Sequence, residues 1–194
     1  MVCQRQQPRR KRPHHPTKIP SNYIKLDKRI SVYETWNYII EKSESQFITN
    51  GNTDDIVAPN CYSRLMALLD IYDFAYCSWY TTHIPNQKWN SMTFIDPSGR
   101  PGHFSGDINL GGVGHFPVWR RSLHEKLGGF DTQFQALADA DWWARCYYAG
   151  RAKFIWVNEL LGCYLWRDGQ NLWHRMVTPQ EWGIYHQKVM EYKN

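Results

Sequence analysis

The chain has 194 residues, 42% hydrophobic and 15% aromatic, enough apolar side chain for one domain around a single core. Its net charge of +5 sits in residues 1–20, where Arg5, Arg9, Arg10, Lys11, Arg12 and Lys18 meet no acid; beyond them 17 basic and 18 acidic residues nearly cancel. That distribution argues against a nucleic-acid-binding domain, and no apolar run approaches the roughly 20 residues of a membrane span.

Residues 1–20 hold four prolines and almost nothing to bury, so they are expected to be a disordered basic tail ahead of a folded region, 21–194. The basic run at 9–12 could contact a polyanion or serve as a nuclear address, and a solvated tail is the simpler reading. No apolar stretch follows these charges, so no secretory signal is expected. The five cysteines (Cys3, Cys61, Cys77, Cys146, Cys163) form no CxxC pair, which signals neither a zinc site nor a disulfide framework and fits a reducing compartment.

The folded region should open with a strand over 23–26. Ser31 and Glu34 then have capping-box spacing, with Val32, Trp36, Ile39 and Ile40 on one helical face. A strand over 46–49 runs into the acidic turn Asn50-Gly51-Asn52-Thr53-Asp54-Asp55. A helix from Asn60 follows, with Cys61, Leu65, Leu68 and Leu69 inward, then an aromatic strand over 74–80. This alternation predicts an α/β fold, a largely parallel sheet flanked by helices, with ligands beyond the carboxyl ends of the strands, where the Asp pair falls. Residues 81–114 read as loops with short strands. Further on come helices over Ser122–Leu127 and 139–148, strands over 153–157 and 161–166, and a helix capped by Thr178-Pro179-Gln180-Glu181. That last helix should turn Trp182, Tyr185, Val189 and Met190 inward. Most of the ten tryptophans are expected to be core.

Two adjacent carboxylates leaving a buried strand are costly without a positive partner, and a hard divalent cation would supply one. A solvated acidic turn would look the same. A longer series adds to it: His115-Phe116-Pro117-Val118-Trp119-Arg120-Arg121, then Gly128-Gly129-Phe130-Asp131, then Asp139-Ala140-Asp141-Trp142-Trp143. With Trp36-Asn37 and the acidic turn upstream, it resembles the second half of family 2 glycosyltransferases, over about 150 residues in the family's order.

The resemblance implies a GT-A, Rossmann-like fold with a mixed, mostly parallel sheet. It further implies transfer of a sugar from a nucleotide-diphosphate donor to a hydroxyl of a carbohydrate acceptor, with inversion. Asp54 and Asp55 would hold Mn²⁺ or Mg²⁺, with His174 as a further metal ligand, and Asp139 would be the general base. Trp36 and Asn37 would line the donor pocket, Trp119 and Arg120 would shape the acceptor or diphosphate pocket, His115 and His174 would contact phosphate or add a metal ligand, and residues 166–171 would fold over bound donor. Asp139 and Asp141 are two apart on one helix and cannot share a face. Position in the motif favours Asp139 as the base, and a helix cap is the bland alternative. The family further suggests cytoplasmic polysaccharide biosynthesis.

Two departures matter. Ala138 stands where an acid often precedes the base. Nothing ahead of residue 23 matches the strand–helix–strand unit that grips the nucleotide, so this chain alone should bind donor weakly or not at all. A partner chain supplying the missing strands is one possibility. A non-catalytic carbohydrate-binding or scaffold remnant is the rival reading. No Gly-rich phosphate loop supports a nucleotidyltransferase.

Overall fold

The computed structural model describes residues 23–91, 113–167 and 176–194. Its elements in chain order are α1 (Val32–Lys42), β1 (Phe47–Thr49), β2 (Ile56–Val57), α2 (Cys61–Met66), β3 (Phe74–Thr82), a 3₁₀ turn (Trp89–Ser91), β4 (Val118–Arg120), α3 (Ser122–Leu127), α4 (Ala138–Tyr148), β5 (Phe154–Leu165) and α5 (Pro179–Lys193). The five strands form one mixed sheet in the order β1-β4-β3-β5-β2. Its long central pair, β3 with β5, is parallel from Phe74↔Phe154 to Thr82↔Leu165. The expectation of a largely parallel sheet holds for this pair, whereas the short β1, β2 and β4 pair antiparallel.

Side chains alternate across β3 as the pleat requires. Phe74 and Tyr76 face a core built with Trp119, Trp142, Phe130 and Tyr185 under α1, α3, α4 and α5. Ala75, Cys77 and Trp79 face a second core with Leu65, Leu69 and Phe116 under α2. The sheet is therefore sandwiched between helices, and α4 is covered nearly all round. The four described cysteines are free and buried. Among the described residues no helix is long and apolar enough to cross a membrane.

Several local expectations need correction. Residues 23–26 form no strand, and Tyr23 is exposed. The inward face of α1 is led by Tyr33 with Trp36 and Ile40 packed behind it, rather than by Val32 and Ile39. The two strands expected at 153–157 and 161–166 are one strand, because register shifts opposite Cys77 and Ser78 absorb the intervening residues. Met190 is 60% exposed; the buried stripe on α5 is Glu181, Tyr185 and Val189, spaced by four. The basic tail lies outside the described residues.

Candidate functional site

Strand directions locate the acidic turn. β1, β3 and β5 all point the same way, so their carboxyl ends share one end of the sheet. β1 and β2 are opposite edges of that sheet, yet only residues 50–55 join them. The turn climbs from Thr49, level with Ala75 near the start of β3, to Ile56 beside Cys163 on β5, and it brings Asp55 to the carboxyl end of β5 at Leu165.

The two acids are held differently. Asp55 Oδ1 accepts the Leu165 N–H at 3.0 Å and Oδ2 accepts Asn52 Nδ2 at 2.7 Å, pinning the turn to the end of β5. Burial outweighs these bonds and pushes its carboxyl up to about 6. Asp54 is partly exposed and pairs with Arg167, Nη1 to Oδ2 at 3.2 Å. His115 reaches the same sheet end: its ring stacks on Tyr164 at 3.7 Å, and burial lowers its pKa to about 4, so it is neutral. His174 lies outside the described residues.

Asp139 opens α4 in a second cluster. Its Oδ1 accepts from the Tyr33 hydroxyl at 3.3 Å and from the Ala140 N–H at 2.8 Å. Burial is the largest influence and raises its carboxyl to about 6, with the nearby Glu181 charge pushing the same way. Tyr33 is buried and its phenol is held well above the ordinary range by that burial and by Asp139. Asp141 points elsewhere, as residues two apart on a helix must. It is fully buried, accepts the Tyr192 hydroxyl at 2.8 Å and faces Arg145 at 3.5 Å, tying α4 to α5.

Four residues expected in the donor, acceptor or diphosphate pocket are taken up by the fold instead. Asn37 spends its amide on the Phe130 backbone, donating Nδ2 to the carbonyl and accepting the N–H, both at 2.8 Å. Trp36 packs edge-on against Tyr33 and Phe130 at 5.5 and 5.4 Å. Trp119 is 1% exposed, stacked on Phe74, and donates to His124 Nε2 at 3.0 Å. Arg120 donates to the Leu69 carbonyl and faces Asp73. It also pairs with Phe47 at the amino end of β1, the sheet end opposite the acidic turn. Position along the motif could not distinguish these packing roles from binding ones.

Two residues at Asp139 escaped the sequence reading. The apolar spacing starts the α1 stripe at Val32 and so misses Tyr33. The capping-box spacing assigns Glu181 to its own helix. Thr178 Oγ1 does accept the Glu181 N–H at 3.1 Å. The Glu181 carboxylate, however, crosses to α4, where Oε1 accepts the N–H groups of Gln135, Ala136 and Leu137 at 2.9, 2.8 and 3.0 Å. The available signal was an acid at the inward position of the 181/185/189 stripe.

A divalent cation fits the acidic turn in one sense. No group of three metal-ligating side chains occurs among the described residues. One partly exposed carboxylate beside one fixed carboxylate suits a hard cation completed by phosphate oxygens and water.

Comparison with known proteins gives fold-level likeness. No family profile and no curated protein matches the sequence. Among solved structures, S. aureus TarS 1-349 in complex with UDP-GlcNAc superposes with a TM-score of 0.67 at 12% identity, over 88% of this chain and 49% of that one. Uncomplexed TarS 1-349 gives 0.61 at 10% identity over 88% and 47%. The mannosyltransferase PcManGT from Pyrobaculum calidifontis, in complex with GDP-Man and Mn²⁺, gives 0.52 at 13% identity over 88% and 45%. The chain thus spans about half the length of each of these three structures.

Proposed function

We propose that this chain carries the diphosphate-facing and base-bearing part of a nucleotide-sugar glycosyltransferase of the inverting, divalent-metal-dependent kind. The observation that carries the reading is the acid pair held at the carboxyl end of β5 by the bond from the Leu165 N–H to Asp55. It occurs in a fold shared with proteins that hold UDP-GlcNAc, or GDP-Man with Mn²⁺. The acceptor is a carbohydrate hydroxyl, and the setting is cytoplasmic glycan assembly.

In this reading Asp54, with Asp55 behind it, would hold Mn²⁺ or Mg²⁺, which when bound supplies positive charge opposite the diphosphate leaving group. Asp139 is the general base. The acceptor oxygen attacks the anomeric carbon as the bond to the diphosphate oxygen breaks, and the hydroxyl proton passes to the Asp139 carboxylate. Tyr33 and Ala140 both bond Oδ1, and Oδ2 accepts no bond from another described residue, so Oδ2 is the atom that takes the proton. A carboxyl raised to about 6 remains ionised at neutral pH while being a stronger base than an ordinary aspartate.

The test is nucleotide release from UDP-GlcNAc and GDP-Man with Mn²⁺, using the wild-type chain and Asp139→Asn. Metal-dependent release that the substitution reduces by about 10²-fold or more supports the reading. Release that is equal in both proteins, or unaffected by chelator, refutes it.

A further inference from the structure

We propose that Glu181 and Tyr33 are positioning residues that fix Asp139 from two sides, Glu181 through the first turn of α4 and Tyr33 through Oδ1. The inference deepens the proposed function and rests on Asp139 being its base. Glu181 is 7% exposed and comes from α5, 42 positions along the chain from Asp139. Its Oε1 gathers the three consecutive N–H groups at 135–137 that lead into α4. Those donors precede the helix and have no partner of their own within it. Leu137 stands at the N-cap position and offers no side-chain acceptor, and within the first turn Asp139 Oδ1 takes the Ala140 N–H. Glu181 is therefore the group that determines where α4 begins, and so where Asp139 sits.

Its charge matters as well as its geometry. Ala138 leaves the residue before Asp139 without a carboxylate, and Glu181 supplies one through space at the same helix end. A like charge raises the Asp139 pKa, whereas the Tyr33 hydroxyl, by donating to the ionised carboxylate, lowers it. Among the described residues, the groups that act on Asp139 from other elements are these two. Asp141, on its own helix, is engaged by Tyr192 and Arg145.

The two substitutions therefore move one carboxyl in opposite directions. Glu181→Gln keeps an oxygen acceptor for the three N–H groups and removes only the charge, so the Asp139 pKa should fall. Tyr33→Phe removes only the donor, so the pKa should rise; each shift should be about half a unit to one unit. The experiment is a ¹³C NMR titration of the Asp139 carboxyl in the ligand-free full chain, with Asp139→Asn assigning the signal. It needs no turnover, so it stands or falls separately from the transferase assay. Opposite shifts establish the arrangement. Shifts of both variants toward the ordinary aspartate value would overturn it, because loosened packing that admits water does that whichever group is changed. No shift in either variant would overturn it too. Should Glu181→Gln fail to fold, Glu181→Asp tests the same contact, since a shorter arm carrying the charge should leave the pKa raised while weakening protection of the Ala136 and Leu137 amides from exchange.

Discussion

Replacing Asn37 by Ala separates a packing role from a donor-binding one. The side-chain amide makes two 2.8 Å bonds to the backbone of Phe130, a residue only 4% exposed. Truncation removes the Asn37 partner of both groups beneath the contact between the Trp36 and Phe130 rings. An unsatisfied buried polar group costs about 1–3 kcal/mol, and partial access of water to one of the two brings the expected loss to about 2–4 kcal/mol. For a chain of this size each kcal/mol lowers Tm by about 2–4 °C, so a drop of about 4–16 °C is expected. The assay is thermal unfolding followed by near-ultraviolet circular dichroism, which reports the aromatic cluster of Tyr33, Trp36 and Phe130 directly. Binding of Mn²⁺ with nucleotide should be unchanged in the folded variant. A Tm within about 1 °C of wild type together with lost nucleotide binding would refute the reasoning and return Asn37 to the donor pocket.

Two further outcomes follow from the same structure. Asp139 has a folded-state pKa of about 6, above its unfolded value, so its contribution is fully present below pH about 4 and is lost as pH rises through 6. Asp139→Asn mimics the protonated form and should stabilise the chain by about 1–2 kcal/mol at pH 7, a gain that shrinks to nothing toward pH 4; urea melts at both pH values check this. Gly162→Ala should destabilise by about 1–3 kcal/mol, because its Cβ would lie 2.2 Å from the ring of Phe116, itself 2% exposed and unable to yield. Adding Phe116→Ala should give a double variant less destabilised than the sum of the two, and strict additivity in the melts would contradict the packing argument.

Sequence pattern made the local architecture legible wherever periodicity and burial coincide. Cys61, Leu65 and Leu69 recur at the spacing of one helix face, and all three are fully buried. Asp139 and Asp141 could be assigned to different faces from their spacing alone, and they meet Tyr33 and Tyr192 respectively. Reading failed where the deciding contact is long-range. Asn158-Glu159 looks like a break between strands, yet a register shift against β3 carries the strand through it. Trp119 and Arg120 stand in a motif that resembles a ligand site, yet one is stacked on Phe74 and the other faces Asp73. Glu181 has a good local partner in Thr178, and only the packing of α5 on α4 shows that its carboxylate serves residues 135–137.

The central claim is that the acidic turn grips a diphosphate through a divalent cation. Calorimetric titration of the chain with UDP, GDP and inorganic pyrophosphate, with and without Mn²⁺, tests it most directly when repeated on Asp54→Ala. The account predicts Mn²⁺-dependent heat with all three ligands, because the shared diphosphate is what the turn contacts, and affinity reduced about tenfold or more in the variant. Binding that ignores chelator, or that Asp54→Ala leaves intact, would contradict it.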